Sequence, residues 1–131
     1  MNSPRVLIVD DNVLNMELAL AVLQAAEIAV DGAADASQAV DRIAAFEPDL
    51  ILMDIQMPGM DGLELMRRLK AAPRTQGIVV VAFTAYAMNG DQAKMREAGC
   101  DGYIAKPIDV ATFPATVLSF LVDVHQGIRR A

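Results

Sequence analysis

Short apolar runs alternate with stretches of helical spacing along the whole chain. Arg5-Val6-Leu7-Ile8-Val9, Leu50-Ile51-Leu52-Met53 and Ile78 to Phe83 are nearly unbroken apolar runs, as strands buried on both faces require. Ile28 to Val30, closed by Asp31-Gly32, predicts a weaker strand, and Gly102 to Ala105 a short one. Between them the period changes. Asn12 to Ala26 predicts a helix with Leu14, Leu18, Val22 and Ala25 or Ala26 on one face. Asp35-Ala36-Ser37 opens a second, whose apolar members are Ala39, Val40, Ile43 and Phe46, and Pro48 stops it. Asp61 is placed to cap a third, Gly62 to Ala72, with Leu63, Met66 and Leu69 or Lys70 at helical spacing and Pro73 near its end. A fourth runs from about Gly90 to Ala98, with Gly99 just past it. Asp109 caps the last, which reaches about Val124 and carries Phe113, Val117, Leu118, Leu121 and Val122. Pro114 falls about one turn into that helix, where it threatens a hydrogen bond or shifts the start.

Strands that alternate with helices and read as continuous apolar runs predict an α/β fold with a parallel sheet covered on both faces. Right-handed crossovers restrict it to doubly wound forms. At 131 residues the chain is expected to be one domain, residues 1–131, with a core from about 5 to 124. An apolar fraction of 54% excludes disorder. A net charge of −6 argues against a nucleic-acid partner. Cys100, the single cysteine, permits no internal disulfide and suits a reducing compartment. Met1 to Pro4 shows no signal pattern, and no apolar run approaches the roughly 20 residues of a membrane span. The expectation is a cytoplasmic protein without a membrane or nucleic-acid partner.

In open α/β sheets, ligand chemistry lies outside the carboxyl ends of the strands. The pair Asp10-Asp11 follows the first strand, Asp54 ends the third, Thr84 the fourth and Lys106 the fifth. One strand-end aspartate alone is as well explained by loop capping. Three at one edge repel unless a cation joins them, and oxygen ligands suit a hard divalent ion, Mg²⁺ (or Mn²⁺). Beside such an ion, Asp54 has the makings of a nucleophile, with Lys106 and Thr84 suited to hold phosphoryl oxygens. His125 is the only histidine, sits at the end of the last helix, and is not placed to carry phosphate at this edge. Cys100 is expected to pack as a small hydrophobe.

Val9-Asp10-Asp11-Asn12, Leu52-Met53-Asp54-Ile55-Gln56-Met57-Pro58-Gly59-Met60-Asp61-Gly62, Thr84-Ala85 and Lys106-Pro107 together resemble the receiver domain of two-component response regulators. The match spans about Arg5 to Val124, and no site residue departs from the pattern. The stretches Thr84 to Met88 and Gly99 to Tyr103 are similar to those of single-domain DivK-type regulators and hybrid-kinase receivers. The resemblance implies a (βα)5, flavodoxin-like and CheY-like sheet of order 2-1-3-4-5. It implies that Asp54 is the phosphoacceptor, that Asp11 and Asp54 bind Mg²⁺ directly, that Asp10 acts partly through water, and that Gln56 offers its backbone carbonyl. Thr84 and Lys106 would hold the phosphoryl group, and the Lys106-Pro107 bond would be cis. Tyr103 would take the aromatic switch position. Tyr86, Met88 and Tyr103 would form the partner face.

The implied function is a phosphorylation-activated switch, not an enzyme. It would be charged by a sensor histidine kinase or a histidine phosphotransfer protein and read by a downstream protein target, with a monomer as the simplest state. Mg²⁺-dependent self-phosphorylation is expected. Slow autodephosphorylation is expected too, because Gln56 and Tyr86 line the water's approach and neither is a carboxylate. Two other readings use similar parts. A phosphohydrolase of the haloacid-dehalogenase type would want a second acid where Gln56 stands, and a cap domain. A phosphorylation-independent adaptor would be expected to have lost a site residue.

Overall fold

The computed structural model describes residues 4–55, 62–84, 89–106 and 108–125, and within these the side chains of all but 84, 89–92 and 122–125. The elements are β1 (Arg5–Val9), α1 (Val13–Ala25), β2 (Ala29–Ala33), α2 (Ala36–Phe46), β3 (Leu50–Met53), α3 (Gly62–Ala71), β4 (Val79–Thr84), α4 (Asn89–Glu97), β5 (Gly102–Ala105) and α5 (Phe113–His125). All strand pairings are parallel, and the order is β2-β1-β3-β4-β5. The resemblance implied this order.

Alternation along the strands sorts the core into two layers. Leu7, Val9, Ile51, Met53, Val80 and Ala82 pack with Ala39, Ile43, Leu65, Met66, Leu69 and Met95 from α2, α3 and α4. Val6, Ile8, Leu50, Leu52, Val81 and Phe83 pack with Ala19, Leu23, Phe113, Val117 and Leu121 from α1 and α5. The three central strands are buried on both sides, which explains why they read as continuous apolar runs.

Local capping matches the sequence at several ends. The Asn12 side chain accepts from Asn15 N–H at the start of α1, and Asp35 does the same for Gln38 N–H at α2. Glu47 takes a left-handed conformation at the end of α2, φ 53°, directly before Pro48. Gly99 does so after α4, with φ 99°.

Three expectations need correction. The face predicted for α1 is not the buried one, Val22 apart. Leu14 is 77% exposed and Leu18 is exposed too, whereas Ala19 and Leu23 are buried and Met16, Leu20 and Val22 flank them. The helix is apolar nearly all round, so its periodicity selects no face and the sheet selects one instead. Val40, one of the apolar members of α2, is exposed, and Ala36, Ala39 and Ile43 make the buried contact. β2 does not close at Asp31-Gly32 but runs through them to Ala33, paired with Leu7, Ile8 and Val9 of β1. A Cβ at Gly32 would lie 2.5 Å from Met16 Sδ, so the glycine admits α1 against this edge strand. Lastly, α5 begins at Phe113 rather than at Asp109, whose carbonyl accepts from Thr112 and Phe113 N–H. Pro114 is therefore in the first turn, where it gives up no intrahelical bond. The proposed cap Asp61 lies outside the described residues.

Candidate functional site

The order β2-β1-β3 means that the connections leaving β1 and β3 go to opposite faces, which opens a crevice at their carboxyl ends. Asp10 and Asp54 follow those two strands. Asp10 N–H donates to Ala33 O of β2 at 3.0 Å, and Asp54 N–H donates to Val9 O of β1 at 2.8 Å. The sheet ladder thus fixes both backbones before any side-chain contact is considered. Gly62, the first residue of α3, closes on the same spot. A Cβ there would collide with the Asp54 carbonyl oxygen and would come within 2.7 Å of Ile55 Cα.

Asp10 is fully buried, Asp54 is buried and Asp11 is exposed. One carboxylate oxygen from each lies within 4.8 Å of the other two. Asp10 Oδ1 accepts from Asn12 N–H at 2.9 Å. The Lys106 ammonium, just past β5, is 2.7 Å from Asp10 Oδ2 and 3.4 Å from Asp54 Oδ2. Its approach to Asp10 Oδ2 is off the hydrogen-bonding direction, so that oxygen has charge compensation but no aligned donor among the described residues. The same ammonium sits 5.0 Å from the centroid of the Phe83 ring. Among the described residues, three carboxylates gather here with the Lys106 ammonium. A buried oxygen short of a donor, in an all-oxygen set, fits a hard divalent cation.

Profile comparison matches residues 6–118 to the response regulator receiver domain. The chain belongs to that family. A receiver domain of this kind is a signalling module, and its partners are histidine kinases or phosphotransfer proteins. The polar-differentiation response regulator DivK of Brucella anthropi is 42% identical over 118 residues, spanning 90% of this chain and 96% of that protein. DivK of Brucella melitensis matches to the same extent. Among solved structures, a CheY-like receiver domain protein of Methanospirillum hungatei superposes with a TM-score of 0.87 at 26% identity, over 96% of this chain and 99% of that one. The receiver domain of a signal transduction histidine kinase from Syntrophus aciditrophicus does so with a TM-score of 0.83 at 30% identity, over 93% and 92%.

Of the site residues that the resemblance implied for this receiver, the structure brings Asp10, Asp11, Asp54 and Lys106 together. The backbone of Thr84 ends β4 in register with Ala105 of β5, one residue before Lys106. Gln56, Tyr86, Met88 and Pro107 lie outside the described residues, the proposed cis bond with them. Tyr103, on β5, is 43% exposed. It lines a recess of about 440 Å³ with Met95, Cys100, Asp101, Gly102 and Phe120. The sequence reading missed Asn12 as an aligned partner of Asp10, and Gly62 as the close neighbour of Asp54. An Asp two residues ahead of a helix start, able to accept from the backbone N–H two positions on, and a Gly opening a helix are signals that could have flagged them. Phe83 carried no such signal, being one apolar residue in an apolar strand.

Proposed function

We propose that residues 1–131 form one receiver domain in which Asp54 receives a phosphoryl group from a phosphohistidine of a kinase or phosphotransfer protein. The carboxylate attacks phosphorus, a P–O bond forms as the P–N bond breaks, and the imidazole leaves. The observation that carries this is the placement of Asp54: a buried carboxylate at the end of a central strand, 3.4 Å from an ammonium and within 4.8 Å of two further acids. Asp10, Asp11 and Asp54 would hold Mg²⁺, which when bound offsets the negative charge that gathers on the phosphoryl oxygens. Lys106 stands where it can turn from Asp10 and Asp54 to those oxygens.

Exposed Val13, Leu14 and Leu18 on α1, and Val110 in the loop after Lys106, flank this edge in the chain. They suit docking of the phosphodonor's helices beside Asp54. Tyr103, with Tyr86 and Met88, would report the modified state to a downstream protein through the face made by α4, β5 and α5. The setting would be cytoplasmic. The test is intact mass after incubation with phosphoramidate and Mg²⁺. One added phosphate on the wild type, and none on Asp54→Asn, is expected; phosphate on both would move the acceptor elsewhere.

A further inference from the structure

Phe83 is buried in β4, and its ring underlies the Lys106 ammonium at 5.0 Å from the centroid. Phe113, the first residue of α5, stacks on Phe83 with centroids 5.9 Å apart and planes inclined by 28°. We propose that Phe83 is a positioning residue: its ring, steadied by Phe113, keeps the Lys106 ammonium at the acid edge and aimed between Asp10 and Asp54. The proposal rests on the reading that Lys106 meets the incoming phosphoryl group.

Lysine brings a flexible four-carbon stem, and an ammonium is a compact charge with no planar fork to orient it. Asp10 Oδ2, at 2.7 Å, attracts it without an aligned hydrogen bond, and the hydrogen bond it donates to Asp54 Oδ2 is long, at 3.4 Å. Coulomb attraction of this kind sets distance but little direction. The face of an aromatic ring is the negative end of its quadrupole and supplies what the carboxylates do not, a wall that attracts the cation. Phe83 cannot follow the lysine outward, because it is enclosed with Val81, Phe113 and Val117 in the α1–α5 layer. Leucine would fill much of that space but present no such face. The alternative is that Phe83 only packs the core.

Two measurements separate these. The first is urea unfolding of the full chain without divalent ions, in a cycle of Phe83→Leu and Lys106→Met. Contact with the ammonium makes the loss from Phe83→Leu about two- to tenfold smaller, in the folding equilibrium, when Lys106 is already gone. Equal losses in both backgrounds overturn the proposal. The second keeps the packing and changes only the ring's charge distribution, with a ring-trifluorinated phenylalanine at position 83. Phosphorylation by phosphoramidate and Mg²⁺ should slow by about two- to tenfold, while the folding equilibrium weakens by no more than the coupling the cycle measures. An unaltered rate overturns the positioning role. Absence of phosphate on the wild type would instead refute Asp54 as acceptor, and the unfolding cycle would still decide whether the ring holds the ammonium.

Discussion

Lys70 and Asp101 meet at 2.7 Å between the end of α3 and the entry to β5. Lys70 Nζ also donates to Ile78 O at 2.7 Å, and the same Asp101 oxygen accepts from Val80 N–H at 2.9 Å. Both side chains are mostly buried, so this pair ties α3, β4 and β5 together at the edge of the sheet opposite Asp54. Asp101→Ala leaves Val80 N–H without its side-chain acceptor and the mostly buried Lys70 without its counter-charge, and should cost about 2–3 kcal/mol; Lys70→Met leaves Asp101 with Val80 N–H and should cost about 1 kcal/mol. Urea unfolding measures both, and a larger loss for Lys70→Met would reverse this ranking.

Lys106→Met should destabilise the metal-free protein by about 3 kcal/mol, since fully buried Asp10 then loses its counter-charge. Millimolar Mg²⁺ should raise the melting temperature of the wild type by binding the folded state, and should raise that of Lys106→Met further. With the ammonium gone, the ion no longer shares Asp10 and Asp54 with it. If Mg²⁺ moved neither curve, the acid cluster would not be a metal site.

Gly62→Ala tests how tightly α3 closes on the phosphoacceptor. Inside a helix this exchange ordinarily stabilises by up to about 1 kcal/mol. Here the new methyl group would meet the Asp54 carbonyl and Ile55 Cα, which are backbone atoms of a buried segment. A loss of about 1–3 kcal/mol is expected, together with slower phosphorylation. Stabilisation would show that α3 can move away from Asp54 freely.

Burial raises the pKa of Cys100 above its ordinary value of 9.0, and hydrogen bonds to it oppose this only in part. Its thiol donates to Gly102 O. Because the unfolded chain loses this proton first, the contribution is fully present below pH 9.0 and is lost as pH rises through the folded pKa. Wild-type stability should therefore fall more steeply above about pH 9 than that of Cys100→Ala, with parallel curves below it. Parallel curves throughout would mean that the thiol is not protected. Alkylation of the native protein should also be slow.

Much of this protein is local in origin. Runs such as Leu50 to Met53 are strands because every side chain in them is apolar, and a polar group at their end then marks the sheet edge. The positions of Asp10 and Asp54 at strand ends follow from that alone, and Asn12 and Asp35 are residue types that cap helix starts. Helix faces were legible only where a polar side contrasts with an apolar one. In α3 it does, and Met66 and Leu69 are buried as expected. In α1 almost every position is apolar, so only packing on β1 and β2 decides that Leu23 goes in and Leu14 stays out. The same limit hides pairings between distant residues. No local pattern tells Lys70 to choose Asp101, Lys106 to lie nearer Asp10 than Asp54, or the Phe83 ring to face an ammonium. Those depend on strand order and on which side of the sheet each helix covers, and such long-range geometry exists only once the chain has folded.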